Sequence, residues 1–366
     1  MSSNIYGFVG LGLIGGSMAR AIKKKEPDCR IIAYTPHRET VDTAKEQGIV
    51  DEPLYEIGEA FGECDYIFLC APVEINNENL EKLLPFISKK TTVTDIGSVK
   101  NSIHEVVRRL GLEDQFIGGH PMAGTERIGF NNSKSEILRN AYYILTKTES
   151  TQEDRLARYY ELVRMMGAIP LVVPYAQHDY ITAAISHVPH VISASLVNLV
   201  HDNDSEDELM KTIAAGGFKD ITRISSSSPV MWQQICLTNS YNVSELLSKY
   251  IDSLYDIKLA IDEHDKDKLL DFFSSARSYR ESFIETASGP IRTSFVVRVE
   301  IDDQPGRLAK VATLLSDNDI NIKNIGIVHN REYERGTLRI ELHDREGLDR
   351  AVELLKDKDY NIYVNK

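Results

Sequence analysis

The sequence predicts an α/β chain in three parts: a doubly wound parallel sheet, an all-α segment and a small α+β tail. Three observations carry that reading. From residue 5 to 173, short apolar runs without polar alternation recur between helical stretches, the pattern of strands buried on both faces of a parallel sheet. After Pro174 the strand signals stop, and helical periodicity continues to about Ala287. Beyond Ser288-Gly289-Pro290 the order becomes βαββαβ, a ferredoxin-like unit able to fold alone. The expected domains are therefore 1–174, 175–288 and 291–366, and a chain of 366 residues is long enough for that many cores.

The first strand, Ile5–Val9, runs into Gly10-Leu11-Gly12-Leu13-Ile14-Gly15-Gly16-Ser17, followed by a helix over 17–25. Gly10 permits the tight turn, Gly12 lets the backbone approach a pyrophosphate, and Gly15 lets helix pack on strand. Set between strand and helix, this GxGxxG predicts a Rossmann-like dinucleotide site with the phosphates at the helix N-terminus. The second strand, Arg30–Tyr34, ends in Thr35-Pro36-His37-Arg38, where NAD-specific sites usually carry an acid for the ribose. Without the acid, a 2'-phosphate meets no repulsion, and Arg38 or His37 is placed to pair with it. Alternatively Thr35 or the backbone bonds the ribose and Arg38 is solvated, so NAD+ and NADP+ both stay open.

Alternation continues with a helix over 40–47 stopped by Gly48, and a strand over 66–70 ending at Ala71-Pro72-Val73, expected along the nicotinamide half of the cofactor. A helix over 79–84, a strand over 92–95 and a helix over 100–110 with Ser98 near its cap come next. Strands over 141–146 and 171–173 flank a helix over 152–166. Gly118-Gly119-His120-Pro121-Met122-Ala123-Gly124-Thr125-Glu126 reads as a loop after the apolar run Phe116-Ile117. The loops at Gly10, Ala71, Ser98 and His120 all fall at the carboxyl ends of strands, where ligands of such sheets bind.

In the helical segment, 179–200 reads as one helix that Pro189 should kink, exposing carbonyls nearby. Helices over 229–238, 240–264 and 266–286 follow. Their apolar stripes (Leu246, Leu247, Tyr250, Ile251, Leu254) exceed what one core requires, which suggests a two-fold homodimer. The tail reads as a strand over 293–301, the turn Asp303-Gln304-Pro305-Gly306-Arg307-Leu308, a helix over 308–315, strands over 322–328 and 337–342, a helix over 348–355 and a strand over 361–364.

The net charge of −13 argues against nucleic acid and acidic membrane surfaces as partners, so an anionic substrate needs a local cluster of positive groups. The four cysteines (Cys29, Cys64, Cys70, Cys236) show no CxxC pair and no metal-ligand spacing; Cys64 and Cys70, in or beside an apolar strand, read as reduced core residues, which fits the cytoplasm. No basic-then-apolar leader opens the chain, and no uninterrupted apolar run is long enough to cross a bilayer.

A dinucleotide site implies hydride transfer. His120, between glycines and a proline, is the candidate acceptor for a substrate hydroxyl proton. Ser98 bonds the same hydroxyl, tunes the imidazole or caps its helix. Arg223, in Gly216-Gly217-Phe218-Lys219-Asp220-Ile221-Thr222-Arg223, offers a fork for a carboxylate, or else pairs with Asp220. His190, beside the kink in Ser186-His187-Val188-Pro189-His190, is a donor to a second carboxylate or carbonyl. His178 and His187 read as structural, Trp232 as a wall or core residue, and Lys219 as solvated.

Together the glycine loop, Asp95-Ile96-Gly97-Ser98-Val99-Lys100, Gly119-His120-Pro121-Met122-Ala123-Gly124, Ser186-His187-Val188-Pro189-His190 and the Arg223 segment resemble the prephenate/arogenate dehydrogenase family, over residues 1 to about 287. The tail resembles an ACT domain, a regulatory amino-acid-binding module, through its Asp303–Leu308 turn. The resemblance implies NAD(P)-dependent oxidative decarboxylation of prephenate to 4-hydroxyphenylpyruvate in tyrosine biosynthesis. It implies that His120 accepts the hydroxyl proton, Ser98 bonds the hydroxyl and Arg223 holds the ring carboxylate. It places Thr125, His190, Gly216 and Asp220 among the substrate contacts and Glu126 as a polar gate. It also implies tyrosine as effector, bound by Asp303, Gly306 and Asn321. The departure from the family is Thr35. Alternatives are an arogenate dehydrogenase, a β-hydroxyacid dehydrogenase, which would need a catalytic lysine, and an amino-acid-responsive binding protein built on the same scaffold.

Overall fold

Strand β1 (Ile5–Val9) shows how the first sheet is built: Tyr6 and Phe8 point to one core, Val9 to the other, and all three are fully buried. The computed structural model describes residues 4–124, 127–286, 295–302, 304–328 and 335–364. The chain forms two compact units, Met1–Asp265 and Lys266–Lys366.

In the first unit, β1 leads through α1 (Leu13–Lys25) to β2 (Arg30–Tyr34), α2 (Arg38–Glu46), β3 (Glu52–Leu54) and β4 (Tyr66–Leu69). Next come α3 (Val73–Leu83), β5 (Thr92–Asp95), α4 (Asn101–Leu110), β6 (Phe116–Pro121), β7 (Tyr142–Lys147), α5 (Glu153–Met165) and β8 (Ile169–Val172). The sheet order is β3-β2-β1-β4-β5-β6-β7-β8, which reverses direction between β1 and β4 and opens a ligand crevice there. Helices α1 and α5 cover one face, where Tyr6 stacks on Tyr66 and Phe8 on Phe68 at centroid distances of 5.6 and 4.8 Å. Helices α3 and α4 cover the other, over Val9, Ile67, Leu69 and Val93.

The doubly wound class is borne out, with local differences. β7 runs antiparallel to β6, and the short β3 extends the sheet beside β2. Helix α3 begins at Val73, so the expected loop Ala71-Pro72-Val73 is the helix entry. Pro72, lacking an N–H, stands where the helix has no use for one, and the buried Asn76 folds back to accept from the Ala71 N–H at 2.9 Å. His120 lies inside β6, paired with Ile144, and not on a loop. Its two preceding glycines are needed for packing: a Cβ on Gly119 would sit 2.6 Å from the Asp95 carbonyl oxygen.

Helices α6 (Tyr175–Thr182), α7 (Val188–Asn203), α8 (Leu209–Ile213), α9 (Gly216–Thr222), α10 (Pro229–Thr238) and α11 (Ser240–Asp262) complete the unit. Where Pro189 was expected to kink one helix, residues Ala183–His187 form a π turn that joins α6 to α7. Proline cannot bond back and crowds the carbonyl four residues earlier, and the wider turn relieves both. The stretch Tyr175–Asn203 is, by length and composition alone, apolar enough to cross a membrane, with a mean hydropathy of 1.4 over 18 residues. Its inner side carries the buried His178, Asp179, Thr182 and His187, and its outer side leaves Ile185 and Leu199 exposed.

The second unit holds α12 (Lys266–Thr286) and the expected βαββαβ tail: β9 (Phe295–Asp302), α13 (Arg307–Ser316), β10 (Ile322–Val328), β11 (Arg335–Leu342), α14 (Arg345–Asp357) and β12 (Ile362–Val364). Its strands lie antiparallel in the order β10-β11-β9-β12 over a core of Val297, Val299, Val311, Leu338 and Ile340.

The β5–β6 contact yields a prediction. Gly119→Ala should lower stability by about 1–3 kcal/mol through overpacking against the Asp95 backbone and the Tyr143 hydroxyl, read as a shift in the urea midpoint.

Candidate active site

The glycine loop leaves β1 at Gly10, whose φ of +96° is a left-handed conformation that favours glycine and whose N–H donates to the Tyr34 carbonyl at 2.7 Å. A Cβ there would strike Cys70 and Ala71, and one on Gly15 would strike Cys70. At Gly12 a Cβ would meet nothing within 4 Å, so this is where the loop faces open space. Gly12 is also the N-cap of α1 and no side chain caps it, which leaves the first-turn N–H groups of Leu13, Ile14 and Gly15 to an outside acceptor. The loop therefore fits a dinucleotide pyrophosphate. At the end of β2, Thr35 is buried, while His37 and Arg38 are exposed. The Arg38 guanidinium lies 4.8 Å from the centre of the Tyr55 ring, and the Tyr55 hydroxyl donates to Asp42 at 2.8 Å.

Two buried carboxylates organise the neighbouring strand ends. Asp95, closing β5, pairs with the fully buried Lys100 and accepts from the Gly97 and Gly119 N–H groups at 2.8 and 3.3 Å. It thereby ties the Ser98 loop to β6. Asp179 reaches across from α6 and accepts from the Lys100 and Asn101 N–H groups at 2.7 and 2.8 Å. Ser98 makes no capping bond: those first donors of α4 already have Asp179, so its half-buried hydroxyl is left for another partner. This corrects the expectation of a capping serine.

His120 is half-buried. Its Nδ1 lies 2.8 Å from Nε2 of His178, whose Nδ1 lies 2.7 Å from Asp179 Oδ1. His120 Nε2 has no hydrogen-bond partner among the described residues. Burial, then the neighbouring His178, Lys100 and His187, hold the His120 pKa well below the usual histidine range, so it stands neutral and able to accept a proton. Burial likewise pushes His187 down to about 4.

The helical wall carries His190, stacked on Trp232 at 3.6 Å, with His190 Nδ1–H donating to the Ser186 carbonyl at 2.8 Å. A neutral His190 thus presents a lone pair at Nε2, and it donates to a carboxylate only after taking up a second proton. Arg223 is exposed and starts the turn after α9; burial lowers the His190 pKa, and the Arg223 charge adds to that in the same direction. Ser193 of α7 donates to the Ile221 carbonyl at 3.1 Å and fixes that segment. The alternative pair with Asp220 does not form: among the described residues Arg223 makes no ion pair, and Gly216 and Asp220 are exposed on α9. His187 Nε2 and Trp232 Nε1 are buried without partners among the described residues; nothing in the residue pattern singled out the indole as a donor. Thr125, Glu126 and Asp303 lie outside the described residues. In the tail, Gly306 (φ +84°) opens α13, and Asn321 lines a groove of about 430 Å³ with Ser316, Asp319, Ile320 and Ile322.

A pyrophosphate cradle at the reversal of sheet order, beside a neutral imidazole at a strand end and a cationic helical wall, defines a dinucleotide-dependent dehydrogenase. The comparisons narrow this. The nucleotide-binding and dimerization domains of prephenate dehydrogenase match residues 18–171 and 174–275, and an ACT domain matches 295–359. The prephenate dehydrogenase of Bacillus subtilis is 34% identical over 349 residues, 95% of this chain and 94% of that protein. That of Lactococcus lactis is 33% identical over 352 residues, 95% and 96% of the two chains. The crystal structure of prephenate dehydrogenase from A. aeolicus in complex with hydroxyphenyl propionate and NAD+ superposes with a TM-score of 0.73 at 30% identity, covering 77% of this chain and 99% of that one. Synechocystis arogenate dehydrogenase superposes with a TM-score of 0.69 at 30% identity, covering 76% and 99%. The chain belongs to the prephenate dehydrogenase family.

The open position at Gly12 supplies a clean test. Gly12→Ala should leave the urea midpoint nearly unchanged, since its φ of −87° suits alanine, yet raise the coenzyme KM about tenfold or more by blocking the pyrophosphate.

Proposed function

We propose that the chain is a cytoplasmic, homodimeric prephenate dehydrogenase that converts prephenate to 4-hydroxyphenylpyruvate and carbon dioxide with NAD(P)+. The observation that carries the chemistry is His120, a neutral imidazole with an unpartnered nitrogen at the end of β6. The coenzyme, when bound along Gly12 and Ala71, supplies the hydride acceptor. His120 Nε2 takes the proton of the ring hydroxyl as that carbon is oxidised. Loss of carbon dioxide then makes the ring aromatic, and His120 returns the proton to the phenolate oxygen, so no net proton is released. Ser98 orients the hydroxyl, Arg223 holds the ring carboxylate, and His190 faces the side chain, with Thr125, Gly216 and Asp220 nearby and Glu126 as gate. Residues 1–174 carry the coenzyme, 175–288 the substrate side and dimer contact, and 291–366 the regulatory part. The exposed Leu237, Tyr241, Ile251, Leu254 and Tyr255 support the dimer.

Arg38, steadied by Tyr55, supports use of NADP+ beside NAD+. Arogenate is the second substrate reading, favoured by the likeness to the Synechocystis enzyme. One assay separates these: prephenate and arogenate are each offered with NAD+ and NADP+, and reduced nicotinamide is followed by absorbance. With prephenate, His120→Asn should lose about 10²- to 10⁴-fold in kcat with KM largely kept. Arg223→Ala should weaken substrate binding by about 2–5 kcal/mol. Equal effects of both variants on both parameters would refute the assignment.

For the tail, we propose tyrosine as the effector, held by Gly306, Asn321 and Asp303. In the full chain, Asn321→Ala should raise the tyrosine concentration for half inhibition about tenfold or more, the loss of one or two hydrogen bonds. Unchanged inhibition would point to competition at the active site.

A further inference from the structure

The pair His178–Asp179 has no part in the chemistry above, yet both side chains are fully buried and in contact with His120 or its neighbours. We propose that His178 and Asp179 are positioning residues that hold His120 in the tautomer able to receive the substrate proton, an inference that rests on the reading of His120 as proton acceptor.

The hydrogens follow from the geometry. Asp179 Oδ1 accepts from the Lys100 N–H at 2.7 Å and Oδ2 from the Asn101 N–H at 2.8 Å. With both oxygens committed as acceptors at the positive end of α4, the group is a carboxylate and has no proton to offer. His178 Nδ1, 2.7 Å from Oδ1, must therefore carry the hydrogen and donate it. A neutral imidazole has only one N–H, so His178 Nε2 is an acceptor. His178 is fully buried, and that burial lowers its pKa and favours the neutral ring. The group on that nitrogen is His120 Nδ1 at 2.8 Å, which must donate. His120 Nε2 is thereby left with its lone pair free.

This reverses the usual preference of neutral imidazole in water, which keeps its proton on Nε2. Left alone, His120 would mostly present an N–H to the substrate and be unable to act as base. After proton uptake the His120 imidazolium faces Lys100, already paired with Asp95, along with His187 and His178. The negative charge that compensates it is Asp179, one imidazole away. The substrate proton stays on His120 until it is returned to the phenolate oxygen, and none passes along the pair.

The test is tautomer spectroscopy on the full-length enzyme with NAD+ bound, labelled with [15N]histidine and assigned through His120→Asn. Two-bond nitrogen–proton correlations should show His120 protonated on Nδ1 and bare at Nε2 near neutral pH. A proton on Nε2 in the wild-type enzyme overturns the proposal, whether or not any variant folds. In kinetics with prephenate, His178→Phe should lose about 10²- to 10³-fold in kcat, with the prephenate KM and coenzyme affinity within about twofold. His178→Gln, whose carbonyl can accept from His120 Nδ1–H, should recover about tenfold of that loss. Wild-type kcat in His178→Phe overturns the proposal, as does a loss confined to KM and coenzyme affinity. If the wild-type enzyme fails to turn over prephenate, the substrate reading falls, while the tautomer spectrum still decides the arrangement of the imidazoles.

Discussion

One buried carboxylate joins the two halves of the site. Asp179 belongs to α6, but its oxygens bind the N–H groups that begin α4, and its neighbour His178 touches the imidazole at the end of β6. Removing a carboxylate from water is costly unless its lone pairs are satisfied. Here two backbone donors, an imidazole N–H and the end of a helix meet that demand. The geometry is rigid for the same reason: a group that needs several partners at once tolerates few positions. Asp95 does similar work one strand over, with Lys100 and two glycine N–H groups. Candidate site residues from β6, the β5–α4 loop and α6 are thus held by polar contacts, several of which cross element boundaries.

That arrangement explains what was legible in the sequence. The glycine loop was readable because its determinants are local: Gly10, Gly12 and Gly15 answer to a turn, an open cradle and a helix contact within a few residues. Strands β1, β2 and β5 were readable because burial on both faces leaves unbroken apolar or small-residue runs. His120 was readable as a residue but not as part of a strand. Gly118, Gly119 and Pro121 are poor strand formers; here the Asp95 backbone and Tyr143 leave no room for a side chain at Gly119, and the Thr146 hydroxyl leaves none at Gly118. The α4 cap was not readable at all. Its acceptor lies 79 residues from Lys100 in the chain, so the nearby Ser98 drew the assignment that belongs to Asp179. His178 looked structural because one histidine in a helix carries no sign of what its ring faces.

The helical wall shows a different balance. The buried positions of α7 and α11 are few, and Ile251 and Tyr255 remain exposed at 60% and 61%. Apolar surface of that kind loses its favourable burial energy unless a second molecule covers it. Membership of a family with a named dimerization domain over these residues gives that surface its natural partner.

The π turn at Ala183–His187 has a geometric consequence for the imidazoles. In a regular helix each residue advances roughly 100°, so positions 178 and 187, nine steps apart, would point to opposite sides. A π turn acts as one inserted residue, and nine steps then count as about eight, bringing the two rings within roughly a quarter-turn of each other. From outside the rod, Asn239 ties the two ends of this turn, donating to the Asp179 main-chain carbonyl at 2.8 Å and to His187 Nδ1 at 3.1 Å. A single widened coil thus lets one continuous rod serve two rings on the same wall, and regularising it would swing one of them out toward solvent.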